Sequence, residues 1–266
     1  MSGNRGPRGG ARYSQTTPLA RGCGSLAAAS RRHRRAPDGA LGITVEGAHL
    51  PLTTLRIASG ELTLAGELRT PEGDGPFAAA VVCHPHPRMG GDMYSNVVLA
   101  AVEGLVSHGL AALRFDFRGT GGSGGTHDDG KGEQDDVRAA LAHAASLPEI
   151  DGERVGLAGY SFGAGMAAAV AAAAGDGGGA IPALALIAIP LGTGRDPSQT
   201  LAAYPGPVLL MAGDLDSYCE AGALDELGGE LGERAETRIV DGADHFWLGF
   251  EREISESVGE FFAARL

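Results

Sequence analysis

The amino-acid sequence predicts an α/β fold: a mostly parallel, doubly wound sheet that opens with an antiparallel hairpin and carries helices on both faces. Three observations predict it. From about Leu52 onward, short apolar runs alternate with longer helical patterns, the rhythm of βαβ units. Several runs are almost wholly apolar, as strands covered on both faces must be. The first two runs alone alternate at period two across a tight turn.

Taken in order, "LTTLRIA" and "LTLAGEL" flank Ser59-Gly60-Glu61 and form the hairpin. The following runs are "AAAVVC" (78–83), "AALRFDF" (111–117), "RVGLAG" (154–159), "ALALIAI" (183–189), "PVLLMAG" (207–213) and "ETRIV" (236–240). Helical patterns cover Tyr94 to His108, Glu133 to Ser146, Phe162 to Ala174, Glu220 to Leu231 and Glu251 to Ala264. Gly-rich stretches at 119–130 and 175–179 read as loops. The 16 residues 191–206 leave room for a short connection without a helical cap.

A chain of 266 residues accommodates one large domain after a loose start. Residues 1–40 hold eight Arg and one acid, Asp38, without apolar periodicity. They read as a disordered extension, with an Arg-rich, acid-poor transit peptide or a nucleic-acid-binding tail as the alternatives. Residues 41–266 then hold 13 basic and 32 acidic residues, a net charge of −19 against −12 for the whole chain. So acidic a body repels phosphate backbones, and no nucleic-acid partner is expected. No run reaches the roughly 18 apolar residues of a membrane span. The expectation is a cytoplasmic protein, or an organellar one if residues 1–40 act as a transit peptide. Three Cys (23, 83 and 219), without C-x-x-C spacing, suit a reducing compartment and exclude a disulfide framework.

The stretch "LAGYSFGAGMAAAV" places Ser161 between a strand and a helix, with Gly159 and Gly163 two positions either side. A turn this tight needs small residues at those flanks, because a Cβ there meets the neighbouring strand or helix. The hydroxyl is thereby lifted above the sheet, beside the free N–H groups of a helix start. Such a turn is a candidate nucleophile elbow; the plainer reading is a Gly-rich turn with an incidental Ser.

A serine nucleophile needs a base within hydrogen-bond reach and an acid to orient it. In chain order the acid and the His should follow at the ends of later strands. "VLLMAGDLDSYC" offers Asp214 and Asp216, and "TRIVDGADHFW" offers His245. Asp216 is the choice for the acid, since the chain needs one or two residues beyond the strand to turn back toward the His. Asp214 remains the alternative, better suited to tying down its own turn, and Asp244 projects away from the adjoining His245.

An oxyanion hole takes one N–H from the residue after the nucleophile, Phe162, and one from the loop "HPHPRMGGDM" (84–93). Pro85 and Pro87 have no N–H, which leaves His86 as the best donor, while His84 orders the loop. H-x-H followed by Asp92 also suggests a metal site, but no later pair of ligands completes it, and neither a metal nor a cofactor is expected. Gly119-x-Gly121-x-x-Gly124 matches a dinucleotide fingerprint, yet no helix opens at once behind it. It reads as a flexible loop beside the candidate site, with Arg118 as its anchor. Met89, Met93, Tyr160 and Trp247, with Tyr94 and Phe246, are candidates to line a substrate pocket and equally compatible with plain core.

Together "CHPHPRMGGDM", "LRFDFRGTGGSGG", "GLAGYSFGAGMA", "AGDLD" and "GADHFW" resemble the α/β-hydrolase superfamily, in particular small uncapped serine hydrolases of the dienelactone-hydrolase type. The likeness runs from about Leu52 to Leu266. It implies Ser161 as nucleophile, Asp216 as acid, His245 as base, and His86 with Phe162 as oxyanion donors. The implied activity is cleavage of a small, accessible ester, thioester or amide through an acyl-enzyme, with a non-catalytic binding or regulatory protein as the alternative. A dienelactone hydrolase proper would carry Cys at the elbow, so that substrate does not transfer to Ser161.

Overall fold

The computed structural model describes residues 52–174, 181–191 and 197–266, all within the compact unit Ala48–Leu266. The Arg-rich residues 1–40 and the Gly-rich stretch expected at 175–179 lie outside the described residues. Among the described residues no helix is long and apolar enough to cross a membrane.

The sheet has eight strands: β1 (Leu52–Ser59), β2 (Leu62–Arg69), β3 (Phe77–Cys83), β4 (Ala111–Phe115), β5 (Ile150–Tyr160), β6 (Leu184–Ile187), β7 (Val208–Gly213) and β8 (Ala235–Val240). Their spatial order is β1-β2-β4-β3-β5-β6-β7-β8. β1 with β2, and β2 with β4, run antiparallel, and every later pairing is parallel. The expected hairpin and parallel sheet are therefore both present.

Position in the sheet explains the sequence pattern of each strand. β4, β6 and β7 are buried along their whole length; β6 and β7 read as continuous apolar runs, and β4 departs from one only at Arg114. β1, at one edge, alternates buried and exposed residues toward its end. β8, at the other edge, carries the charged Glu236 and Arg238, which blunt it against pairing with another chain.

Among the described residues six α-helices accompany the sheet: α1 (Asn96–Ser107), α2 (Gly132–Ser146), α3 (Phe162–Ala174), α4 (Pro197–Ala202), α5 (Ala221–Leu231) and α6 (Glu251–Ala263). α1 and α6 pack together, and α2, α3, α4 and α5 form a contiguous row. Small residues set the α1–α6 distance. A Cβ on Gly104 would lie 2.0 Å from the Ser255 carbonyl oxygen, and one on Gly259 would lie 2.5 Å from that of Gly104. α4 corrects the sequence reading, which expected a bare loop between β6 and β7; six residues opened by Pro197 form a helix there.

The loop between β4 and α2 is held more firmly than its glycines suggest. Arg118 makes two side-chain hydrogen bonds to Asp136, of 2.9 and 2.8 Å. Glu133, fully buried, accepts from the amides of Asp128 and Gly130, each at 2.8 Å. A cross-strand pair also lies hidden between β2 and β4: Arg114 Nε donates to Glu67 at 3.1 Å, and the Tyr94 hydroxyl donates to the same carboxylate at 2.8 Å. Burial opposes ionisation of Glu67, but these hydrogen bonds and the Arg114 charge outweigh it and hold the carboxyl below its usual range.

Candidate active site

Strand order reverses around β3, with β4 on one side of it and β5 on the other. Ligands of open α/β sheets bind in the crevice at the carboxyl ends of strands beside such a reversal. β5 runs into Ser161 there, and α3 begins at the next residue.

The backbone of Ser161 is left-handed, with φ +53°, a conformation that costs a residue bearing a Cβ roughly 1–3 kcal/mol. Its neighbours hold it in place. The Ser161 amide donates to the Ile187 carbonyl at 2.9 Å, and its own carbonyl accepts from Ala164 and Gly165 at 3.0 and 3.1 Å. A Cβ on Gly159 would sit 2.3 Å from the Gly163 oxygen. One on Gly163 would sit 2.4 and 2.5 Å from the carbonyl oxygens of Cys83 and His84. Both glycines are thus steric necessities, and the end of β3 lies directly against the first turn of α3.

Side chains distant in sequence meet at this point. Ser161 Oγ is 3.0 Å from His245 Nε2. His245 Nδ1 is 2.8 Å from Asp216 Oδ2 and 3.0 Å from its Oδ1. Asp216 is buried, and its Oδ1 also accepts from the amides of Tyr218 and Cys219 at 2.8 and 2.9 Å. With these donors in place the carboxylate is oriented before the imidazole reaches it.

The neighbouring acids have other partners. Asp214 accepts from the Gly242 amide at 2.7 Å, so it ties β7 to the loop after β8 rather than bracing its own turn. Asp244 accepts from the Phe246 amide at 2.9 Å, which keeps it in the loop backbone.

Two neighbours of His245 were not assigned these roles by sequence. The Tyr160 hydroxyl donates to the His245 carbonyl at 2.7 Å, and burial pushes its ionisation far above the usual phenol range, so it acts as a donor. The Tyr218 ring lies 4.6 Å from the imidazole, and Tyr218 is half exposed. An aromatic one residue before the Ser was visible in the sequence; its hydrogen bond across 85 positions was not.

The loop after β3 is ordered from within. His84 Nε2 accepts from the Phe117 amide at 3.0 Å, and Nδ1 lies 2.6 Å from the Pro85 carbonyl. Burial lowers its pKa from 6.5 to about 4, so the ring is neutral with Nδ1 carrying the proton. Both nitrogens are engaged, which leaves none for a metal. Among the described residues no three His, Cys, Asp or Glu side chains are grouped to hold one. His86 stands over the start of α3, its ring 4.9 Å from Phe162 and 4.9 Å from His127. Burial, reinforced by the neighbouring His127 and Arg88, lowers the His86 pKa. His127 Nδ1 in turn lies 2.7 Å from the buried Glu133.

The candidate pocket residues differ in exposure. Met93, Tyr160 and Trp247 are buried, whereas Met89 is 81% exposed. A cleft of about 410 Å³ opens beside Phe162, bounded by His86, Gly165, Met166, Ile189 and Pro190 among others. None of the four named residues lines it.

Comparison with known proteins bears on this arrangement. The family model for X-Pro dipeptidyl-peptidase (S15 family) matches residues 29–191, and that for the dienelactone hydrolase family matches residues 125–258. Both include Ser161, and the second alone extends over Asp216 and His245. An uncharacterized protein of Rickettsia prowazekii is 32% identical over 189 residues, 68% of this chain and 77% of that relative. A solved α/β serine hydrolase homologue from Coxiella burnetii is 28% identical at a TM-score of 0.66, over 78% of this chain and 96% of its own. An α/β serine hydrolase without a lid from Xanthomonas campestris is 27% identical at a TM-score of 0.68, over 79% of this chain and 92% of its own. The elbow at the sheet reversal, the absence of a large insertion between β6 and β7, and these likenesses agree. The chain belongs to the α/β-hydrolase superfamily, among its lidless serine hydrolases of the dienelactone-hydrolase type.

Proposed function

We propose that the chain is a serine hydrolase that cleaves an ester, thioester or amide through an acyl-enzyme on Ser161. The observation that carries this reading is the unbroken line from Ser161 Oγ to His245 Nε2 at 3.0 Å and from His245 Nδ1 to Asp216 at 2.8 Å. Ser161 gives its proton to His245 Nε2 as Oγ bonds to the substrate carbonyl carbon, and the carbonyl pair moves onto oxygen. The tetrahedral species collapses, and the leaving group departs with the proton that His245 returns. Water, deprotonated by the same nitrogen, then attacks the acyl-Ser161 carbonyl and releases the acid. Asp216 stays ionised throughout and stabilises the imidazolium.

The amides of His86 and Phe162 are the proposed oxyanion donors. Phe162 opens α3, where an N–H has no partner within the helix, and among the described residues neither amide donates to a protein acceptor. The contact of Gly163 with the Cys83 and His84 carbonyls brings the two donor segments together. Each donor of this kind stabilises the transition state by about 2.7–4 kcal/mol.

Fluorophosphonate labelling followed by peptide mapping tests the reading, together with turnover of a panel of p-nitrophenyl esters and thioesters by wild type and Ser161→Ala. Modification confined to Ser161, with turnover lost in Ser161→Ala, is the expected result. Folded protein that neither labels nor turns over any member of the panel would leave a non-catalytic binding protein in its place.

A further inference from the structure

The cleft beside α3 shares two residues with the proposed oxyanion site. His86 and Phe162, whose amides are the proposed donors, both contribute to its lining. In acyl transfer the leaving group must face the imidazole that returns its proton. That places it toward His245, flanked by the rings of Tyr218 at 4.6 Å and Phe246 at 5.9 Å. The carbonyl oxygen points at the two amides, so the acyl substituent takes the remaining direction, over Phe162 and into the cleft.

The walls there are mostly apolar, with Phe162, Met166, Ala168, Ala169, Ile189 and Pro190 against the polar His86, Asp129 and Thr200. A volume of about 410 Å³ compares with the roughly 150 Å³ of a cavity that holds a benzene ring. The arm it accommodates is therefore larger than one ring. Burying a charged arm end against these walls costs desolvation free energy, and the one carboxylate of the lining, Asp129, does not offset it, being 84% exposed and paired with Arg88 at 3.8 Å. Gly165 keeps the cleft open: it lines the wall, and a Cβ built on it meets nothing within 4 Å. A longer side chain at that position extends into the cleft instead of colliding with backbone.

We infer that this cleft is the acyl subsite, that it takes an uncharged, medium-length acyl arm of octanoyl size, and that Gly165 sets the length admitted. The inference rests on the acyl-transfer reading above and adds the substrate class to it.

The test compares p-nitrophenyl acetate, octanoate and the acid-ended mono-adipate on wild type, Gly165→Leu and Ala169→Leu, with fluorophosphonate labelling of each protein. For wild type, kcat/KM should favour octanoate over acetate by about tenfold or more, and over the mono-adipate by a similar factor. Each Leu variant should lower the octanoate-to-acetate ratio of kcat/KM by about tenfold, with fluorophosphonate labelling retained. Equal rates for acetate and octanoate in wild type, or variants that slow both esters alike, overturn the subsite while labelling and acetate turnover uphold the serine hydrolase. Should wild type neither label nor cleave any of the three, both readings fall together. Because the wild-type preference is read without any variant, a Leu variant that fails to fold does not rescue the inference.

Discussion

The Tyr160 hydroxyl donates to the backbone carbonyl of His245 across 2.7 Å, joining the residue before Ser161 to the loop that carries the imidazole. Ser161 and His245 are thus registered through backbone and side chain at once. Tyr160→Phe removes this tie without removing the ring. We expect kcat to fall by about tenfold, the rate equivalent of one hydrogen bond. KM for a small ester should stay unchanged, the split expected of a positioning residue. Steady-state kinetics with p-nitrophenyl acetate provide the check.

Asp216 and Asp214 sit two residues apart and have different partners, the first His245 and the second the Gly242 amide. Asp216→Asn should lower kcat by about 10⁴-fold, since an amide cannot hold the imidazole in its working tautomer. Asp214→Asn retains an acceptor for Gly242 and should change kcat by less than about threefold, a surface-type effect. Comparable losses in the two variants would reassign the acid.

The left-handed backbone at Ser161 is a cost borne at the proposed nucleophile. Glycine relieves about 1–2 kcal/mol of it and gives back about 0.5–1 kcal/mol through the freer unfolded chain. Ser161→Gly should therefore be more stable than Ser161→Ala by about 0.5–1 kcal/mol, a difference of roughly 2 °C in Tm for a domain of this size. Both variants should be inactive. Calorimetry on the pair measures the strain without the hydroxyl as a confounding change.

The buried, neutral His84 makes stability depend on pH. Its pKa is 6.5 in the ordinary state and about 4 when folded, so between these values the unfolded chain binds the extra proton. Its contribution is complete above pH 6.5 and is lost as pH falls through 4. The loss amounts to about 2 kcal/mol at pH 5 and about 3 kcal/mol in full. In His84→Gln the difference in denaturant stability between pH 7 and pH 5 should shrink by about 2 kcal/mol. An unchanged difference would show that His84 is charged in the fold.

How much of this was legible in the sequence depended on the range of each interaction. Strands such as β7 announce themselves because burial on both faces leaves no polar position. The elbow was legible because its steric demands fall within five residues, Gly159 to Gly163. The positions of Asp216 and His245 could be read because each closely follows the end of a strand. Partners fixed by packing were not legible: the pairing of Glu67 with Arg114 depends on the register of β2 with β4, and no local pattern encodes it. The exposure of the candidate pocket residues was not legible either. Trp247 looks like a lining residue beside His245, yet the turn at φ +59° buries it completely. The six residues of α4 are too few to show a helical period.

The contact of Gly163 with the carbonyls of Cys83 and His84 has a consequence for how such an enzyme can diverge. A shift of the β3 tip displaces Ser161, so selection for a new substrate cannot reshape residues 83–86 piecemeal. Change is channelled into the outer part of that loop, where the exposed Met89 can be exchanged while the junction beneath it is inherited intact.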